Sequence, residues 1–418
     1  MSNQGKTSLH VIIAGAGLGG LAAAIALRRA SHKVTVLEKA PALGVVGAGI
    51  QMGPNASRLL AAWGVVDRFR DSGVRAEAAL RRRWNTGEVL GEHQMGELLE
   101  QKIGAAYWCL HRKDLHDALV ATAVDPNGFG TPVEIRLGVE VQSVVSSDSD
   151  VAALQLSNGE VITGDVAIGA DGIRSNVRNS IFGDVPTRWS GRIVYRHIID
   201  VTDIGKEPVL AELLARPVQQ IWLGENGSAL THPIWGGKGI YLGATRAGIP
   251  ESEAIWTNTI EKHELAKKFV GWDPRLLSLM SKADEVTGYG LHELTPMEAW
   301  SKGRVALLGD ACHAMLPFQA QGAGQAIEDG AVLGRCLTNV DRDGVAEALV
   351  KYTQERQPRT TKVQKASRDN AELWHLPSGE AQRQRDEQLA KGQADFESYR
   401  WLWAAGPGMA PEPQPVNA

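Results

Sequence analysis

The sequence predicts an α/β fold: a Rossmann-like dinucleotide-binding domain built from discontinuous pieces, with an inserted mainly β domain and C-terminal helices. Three observations carry this. Between Leu9 and Glu38 the chain reads as strand, glycine turn, helix and strand. After Gly191 the apolar pattern changes to the alternation of a second sheet. A buried strand returns at residues 304–308 and is followed by two long helical patterns.

Taken in order, residues 9–14 form a short apolar, β-branched run, as expected of a buried parallel strand. Residues 18–30 are rich in Ala and Leu and read as a helix, and residues 33–37 as the next strand. Residues 54–63 start a helix with Pro54 in its first turn, and residues 112–123 make another. Alternating strands are expected over 134–168, with Asn158-Gly159 as a hairpin turn. The runs 191–200, 219–223, 228–234 and 239–246 read as strands of the second sheet, and 251–280 as mostly helical. Helices are expected at 322–337 and 345–373, and residues 404–418, rich in Pro, Gly and Ala, are expected to be disordered. Trp222, Trp235, Trp256 and Trp272 read as core or interface aromatics.

Composition narrows the function. The 418 residues carry 44 Lys and Arg against 48 Asp and Glu, a net charge of -4. That argues against a general nucleic-acid or anionic-membrane binder. The glycines interrupting residues 11–27 fit a packed helix better than a membrane span. Cys109, Cys312 and Cys336 have no CxxC spacing and read as buried thiols, which fits a reducing, cytoplasmic setting.

Three motifs carry chemistry. In Gly15-Ala16-Gly17-Leu18-Gly19-Gly20, Gly15 allows the tight turn, Gly17 lets the backbone approach a pyrophosphate, and Gly20 lets helix and strand pack closely. Glu38, ending the second strand, is placed to accept from the adenosine ribose hydroxyls and disfavours a 2′-phosphate. Alone this motif implies only a dinucleotide. The second motif, Gly309-Asp310-Ala311-Cys312-His313, follows a buried strand. There Asp310 can hold a ribitol hydroxyl, and the helix after Gln321 can favour negative charge on a flavin. His313 reads as a structural contact, since no metal-ligand spacing surrounds it. The third is Gly169-Ala170-Asp171-Gly172, with Arg174 and Arg178 following.

Together and in this order, the motifs resemble those of single-component FAD-dependent aromatic hydroxylases, the salicylate hydroxylase and 6-hydroxynicotinate monooxygenase branch above all. The resemblance spans residues 9–375. It includes Gly47-Ala48-Gly49-Ile50, His111-Arg112-Lys113-Asp114-Leu115, Tyr195-Arg196, Gly324-Gln325-Ala326-Ile327-Glu328-Asp329, and Tyr352 to Arg359 in the pattern Y-x-x-x-R-x-x-R. It implies the glutathione-reductase and p-hydroxybenzoate-hydroxylase type of FAD domain at 1–190 and 285–375. It also implies a substrate-binding sheet at 191–284, and a C-terminal helix and disordered tail at 376–418.

The resemblance assigns Gly15, Gly17, Gly20, Glu38, Lys39, Gly49, Arg112, Asp171, Asp310, Pro317, Gly322 and Ala323 to the cofactor. Asp171 would serve both FAD and NAD(P)H. NAD(P)H would be a transient co-substrate, since the sequence has one GxGxxG. The implied reaction is hydroxylation of a phenolic or other electron-rich aromatic by O2 through a flavin C4a-hydroperoxide, with a homodimer left open.

The chain departs from the family pattern at His232, where a tyrosine often stands, and at Phe318, where relatives often carry His or Tyr. Arg196 and His232 are the candidate catalytic residues, one as an anion ligand and one as a base. Gln51, Leu223 and Phe318 are candidate substrate contacts. A flavin epoxidase or another oxidoreductase of the same fold is the alternative reading. A halogenase is disfavoured because Trp401-Leu402-Trp403 is followed by Ala-Ala-Gly.

Overall fold

A computed structural model describes residues 8–44, 48–147, 150–204, 207–248, 256–282, 285–392 and 396–404. The first sheet has the order Ser301–Lys302, Val305–Leu307, Val166–Gly169, His10–Ala14, Lys33–Glu38 and Glu134–Leu137. All its pairings are parallel except that of the Ser301–Lys302 edge. His10–Ala14 is central, so Val11, Ile12 and Ile13 are fully buried. Both faces of a parallel sheet are covered, which explains the unbroken apolar run in the sequence. The helices Leu18–Arg29 and Gly322–Leu337 share the resulting core with the sheet.

The antiparallel three-stranded sheet of residues 141–164 turns at Asn158-Gly159, where the Gly159 N–H donates to the Leu156 carbonyl at 3.0 Å. Gly159 takes a φ of 87°, the left-handed value such a turn requires.

The second large sheet has eight strands. Its centre is the expected set: Thr187–Asp200, Gly239–Ala247, Gly227–Ile234 and Gln219–Gly224. Two differences from expectation stand out. The stretch expected to be mostly helical contains the edge strand Thr257–Glu261 before its helices Lys262–Lys268 and Pro274–Met280. The β-branched Thr257, Thr259 and Ile260 pair there with Glu285–Leu294. The sheet also reaches beyond residues 191–284. The hairpin Ala78–Arg83 and Val89–Gln94 joins it by parallel pairing with Gln219–Gly224. Leu18–Arg29, Lys33–Glu38, Pro54–Ala62, Arg112–Val124, Gly322–Leu337 and Val345–Trp374 fall where the sequence places them.

The C-terminal region holds two helices, Glu380–Ala390 and Phe396–Trp403. The tail expected to be disordered lies, beyond Ala404, outside the described residues, as does Gly47. No helix among the described residues is long and apolar enough to cross a membrane.

Candidate active site

The glycine turn is locked by contacts that admit no side chain. Gly15 has a φ of +106°, and a Cβ there would lie 2.4 Å from the Ala170 carbonyl oxygen. A Cβ on Gly20 would lie 2.1 Å from the Gly15 oxygen. Gly17 is the opposite case, because a Cβ there would meet nothing within 4 Å. Its backbone faces an open cavity at the start of the Leu18–Arg29 helix, where free N–H groups favour a phosphate. Glu38 accepts from the Ala16 N–H at 2.8 Å and from the Ala40 N–H at 2.9 Å. Each carboxylate oxygen keeps a lone pair for a ribose hydroxyl.

The cavity holds about 400 Å³ and runs from Gly17 past Gly49, Arg112 and Asp310 to Gly322 and Ala323. Asp310 lines this cavity, and desolvation by the surrounding protein pushes its pKa up, against the pull of His313 and Arg112. Gly322 opens the 16-residue helix Gly322–Leu337, and a Cβ there would project into empty space. Thus the turn before one helix, a strand-end acid and the start of a second helix line one trough.

Behind this trough lies a buried charge network. Arg356 donates to Asp329 and to Glu328, both at 2.7 Å. Arg359 donates to Glu328 at 2.6 Å, and Asn55 to the same carboxylate at 2.7 Å. Asp329 also accepts from the Gly309 N–H at 3.0 Å and pairs with His313 at 2.6 Å. The Y-x-x-x-R-x-x-R and E-D segments therefore brace the Asp310 loop from behind. His313 is a structural contact, and no cluster of potential metal ligands occurs among the described residues.

A second, smaller chamber of about 120 Å³ adjoins the trough. The two share Gln51, Arg196, Leu230, Tyr241, Pro317 and Ala320. Phe318 closes one wall and packs edge-on against Trp374, with centroids 5.6 Å apart. Tyr399 and Trp403, stacked at 4.8 Å, bring the last helix into the wall.

The family model described as "FAD binding domain" matches residues 8–367. The chain belongs to this family. It is 36% identical over 399 residues to the 3-hydroxybenzoate 6-hydroxylase 1 of Aquipseudomonas alcaligenes, covering 95% of this chain and 97% of that one. It is 33% identical over 374 residues to the 6-hydroxynicotinate 3-monooxygenase of Pseudomonas fluorescens, covering 88% and 92%. A solved salicylate hydroxylase substrate complex superposes with a TM-score of 0.80 at 26% identity, over 97% of this chain and all of that one. The protein is an FAD-dependent aromatic monooxygenase with NAD(P)H as co-substrate.

The trough fits FAD: it offers bare backbone at Gly17 and Gly322, the Asp310 carboxylate and the Arg112 guanidinium, while Glu38 braces the glycine turn next to it through the Ala16 N–H. Of the expected cofactor residues, Gly15, Gly20 and Glu38 shape the glycine turn without standing on the trough wall, and Lys39 and Asp171 lie outside it as well. Lys39 is exposed beside Glu38 and does not line the cavity. Asp171 turns away from the trough, with one oxygen accepting from the Ser175 hydroxyl at 2.5 Å and the other from the Val177 N–H at 3.1 Å. It caps the Asn176–Phe182 helix, while its neighbours Ala170 and Gly172 line the cavity. Leu223 is buried in the sheet and lines neither space: it shares the chamber face with Gln219 and Ile221 but lies one step further along the strand, past the chamber wall. The four tryptophans read as core aromatics also stay out of the chamber; the sequence reading missed Trp374 and Trp403 there.

His232 lines the cofactor trough rather than the chamber. Its Nδ1 lies 3.2 Å from the Pro233 carbonyl, which only accepts, so the proton sits on Nδ1. Burial pushes its pKa down to about 4, against that hydrogen bond. A histidine whose conjugate acid is this acidic is a weak base toward a phenol. The pH dependence of kcat/KM is therefore expected to show no His232 ionisation near 6.5. A limb there that His232→Asn removes would contradict this placement.

The glycine turn makes a second prediction. Gly20→Val is expected to purify without bound FAD, because its side chain must displace the Gly15 carbonyl. Normal flavin absorbance in the purified variant would show that the turn tolerates what the contact forbids.

Proposed function

We propose that the chamber holds a phenol-type aromatic ring with its reacting carbon toward the trough, and that O2, NAD(P)H and a proton convert it to the hydroxylated product, water and NAD(P)+. The observation that carries this is the shared wall: Gln51, Arg196 and Pro317 border both spaces. The chemistry supplied by bound FAD is hydride acceptance from NAD(P)H and activation of O2 as an electrophile. Gly15, Gly17, Gly20, Glu38, Arg112, Asp310 and Gly322 would hold it.

The remaining work falls to the protein. Tyr107 donates to Gln51 at 2.9 Å, which fixes the amide with its N–H donors free to face the ring. The Arg196 Nε is buried with no hydrogen-bond partner, and the guanidinium lies 4.7 Å over the Tyr289 ring. It is positioned to accept a phenolate, which makes the ring electron-rich. Phe318, Trp374 and Trp403 exclude water and fix the ring plane. The helix beginning at Gly322 favours negative charge in the trough. The two arginines on the chamber wall, Arg81 and Arg196, disfavour an apolar alkene as substrate. The three unpaired, buried thiols support a cytoplasmic setting.

The test is NAD(P)H oxidation by the FAD-loaded protein against a panel of phenolic aromatics. Stimulation by at least one, with a hydroxylated product, is expected. Oxidation that no aromatic accelerates contradicts the reading.

A further inference from the structure

Three consecutive arginines lie on the strand Ala78–Arg83. Arg82 pairs with Glu212 at 2.8 Å, and Arg83 with Asp386 at 2.9 Å. Among the described residues, Arg81 has no carboxylate partner. It is 8% exposed, its Nη1 has no hydrogen-bond partner among the described residues, and its Cζ lies 5.9 Å from the Trp374 ring. A buried guanidinium cannot shed its proton, so a missing counter-charge is costly.

Arg81 stands on the wall of the chamber but not on that of the cofactor trough, whereas Arg196 stands on both. No Asp or Glu is among the described residues lining the chamber. The chamber therefore carries two positive charges, one at its mouth and one away from the trough. The ligand itself must supply what is missing.

We propose that Arg81 binds a carboxylate of the aromatic substrate, and so selects arenecarboxylates over neutral phenols. A planar carboxylate matches the guanidinium fork, and its stem is fixed by the sheet on both sides through the pairings with Ile221 and Gly91. The ring then lies between the two arginines, its carboxylate away from the trough and its reacting edge toward Arg196. This inference rests on the reading that the chamber is the substrate site.

The test titrates the FAD-loaded protein, followed by flavin absorbance, with three acid and carboxamide pairs: 3-hydroxybenzoate, 6-hydroxynicotinate and salicylate, each against its amide. The wild type is expected to bind at least one acid about 10- to 100-fold more tightly than its amide, the range for a charge-assisted hydrogen bond. Arg81→Gln is expected to erase that preference by weakening the acid alone, and Arg81→Lys to restore part of it. A purely structural role would weaken acid and amide equally, which overturns the proposal. So does a wild type that prefers none of the acids, or a preference that survives Arg81→Gln. An acid preference lost in Arg81→Gln, in a protein that hydroxylates none of the six compounds, would support Arg81 as the anion site while counting against the proposed reaction.

Discussion

Arg356→Met is expected to destabilise the protein by about 3–5 kcal/mol, the usual cost of removing one partner from a buried ion pair. The substitution leaves Glu328 and Asp329 fully buried without the guanidinium that donates to both. Thermal unfolding measured with and without added FAD is the check. Because Asp329 also holds the Gly309 N–H, the variant is expected to retain FAD less well than the wild type. An unchanged melting temperature would mean that the network does not brace the Asp310 loop. The same network makes an acid prediction. Burial alone would raise the Asp329 pKa, but His313 and Arg356 hold it down to about 2. Its contribution is thus present above the ordinary value of 3.8 and is lost as pH falls through about 2.

The second large effect belongs to Arg196. Replacing it with Met keeps the stem on the sheet and removes the charge at the mouth of the chamber. If Arg196 stabilises developing phenolate charge, kcat/KM for a phenolic substrate should fall by about 100-fold, as when one preorganised donor is removed from a low-dielectric site. NAD(P)H oxidation that produces no hydroxylated product should rise in proportion. The measurement is product formed per NAD(P)H consumed, for wild type and variant. An unchanged ratio with unchanged kcat/KM would place Arg196 outside the chemistry.

Much of this was legible in the sequence because local rules and the tertiary structure agree. Gly15 and Gly20 make the tight turn and close packing their spacing suggested, Gly17 faces open space, and Glu38 closes the same unit. Asp310 and Gly322 line the trough as the second motif implied, and Gln51 and Phe318 reach the chamber. What sequence reading missed depends on long-range pairing. Residues 78–83, Ala-Ala-Leu-Arg-Arg-Arg, have helix-forming composition, and only pairing with Gln219–Gly224 makes them a strand. The Asn85-Thr86-Gly87 turn was the available signal. Arg81 was therefore invisible as a chamber residue.

Asp171 shows the converse. A strand-end Asp-Gly has the same sequence whether its carboxylate caps a helix or meets a cofactor, and only the Ser175 and Val177 contacts decide. Leu223 has the strand phase of Gln219 and Ile221, which do line the chamber, and only the extent of the chamber along the strand leaves it out. The wall provided by Tyr399 and Trp403 comes from the far end of the chain, where no local pattern links it to the sheet it covers.

The central claim is that the chamber brings an aromatic ring to oxygen activated at the cofactor trough. Turnover of the FAD-loaded protein under isotopically labelled O2, with mass spectrometry of the aromatic product, tests it most directly. The account predicts one labelled oxygen atom on the ring, gained only when NAD(P)H is supplied. A product whose added oxygen is unlabelled and comes from water would contradict it.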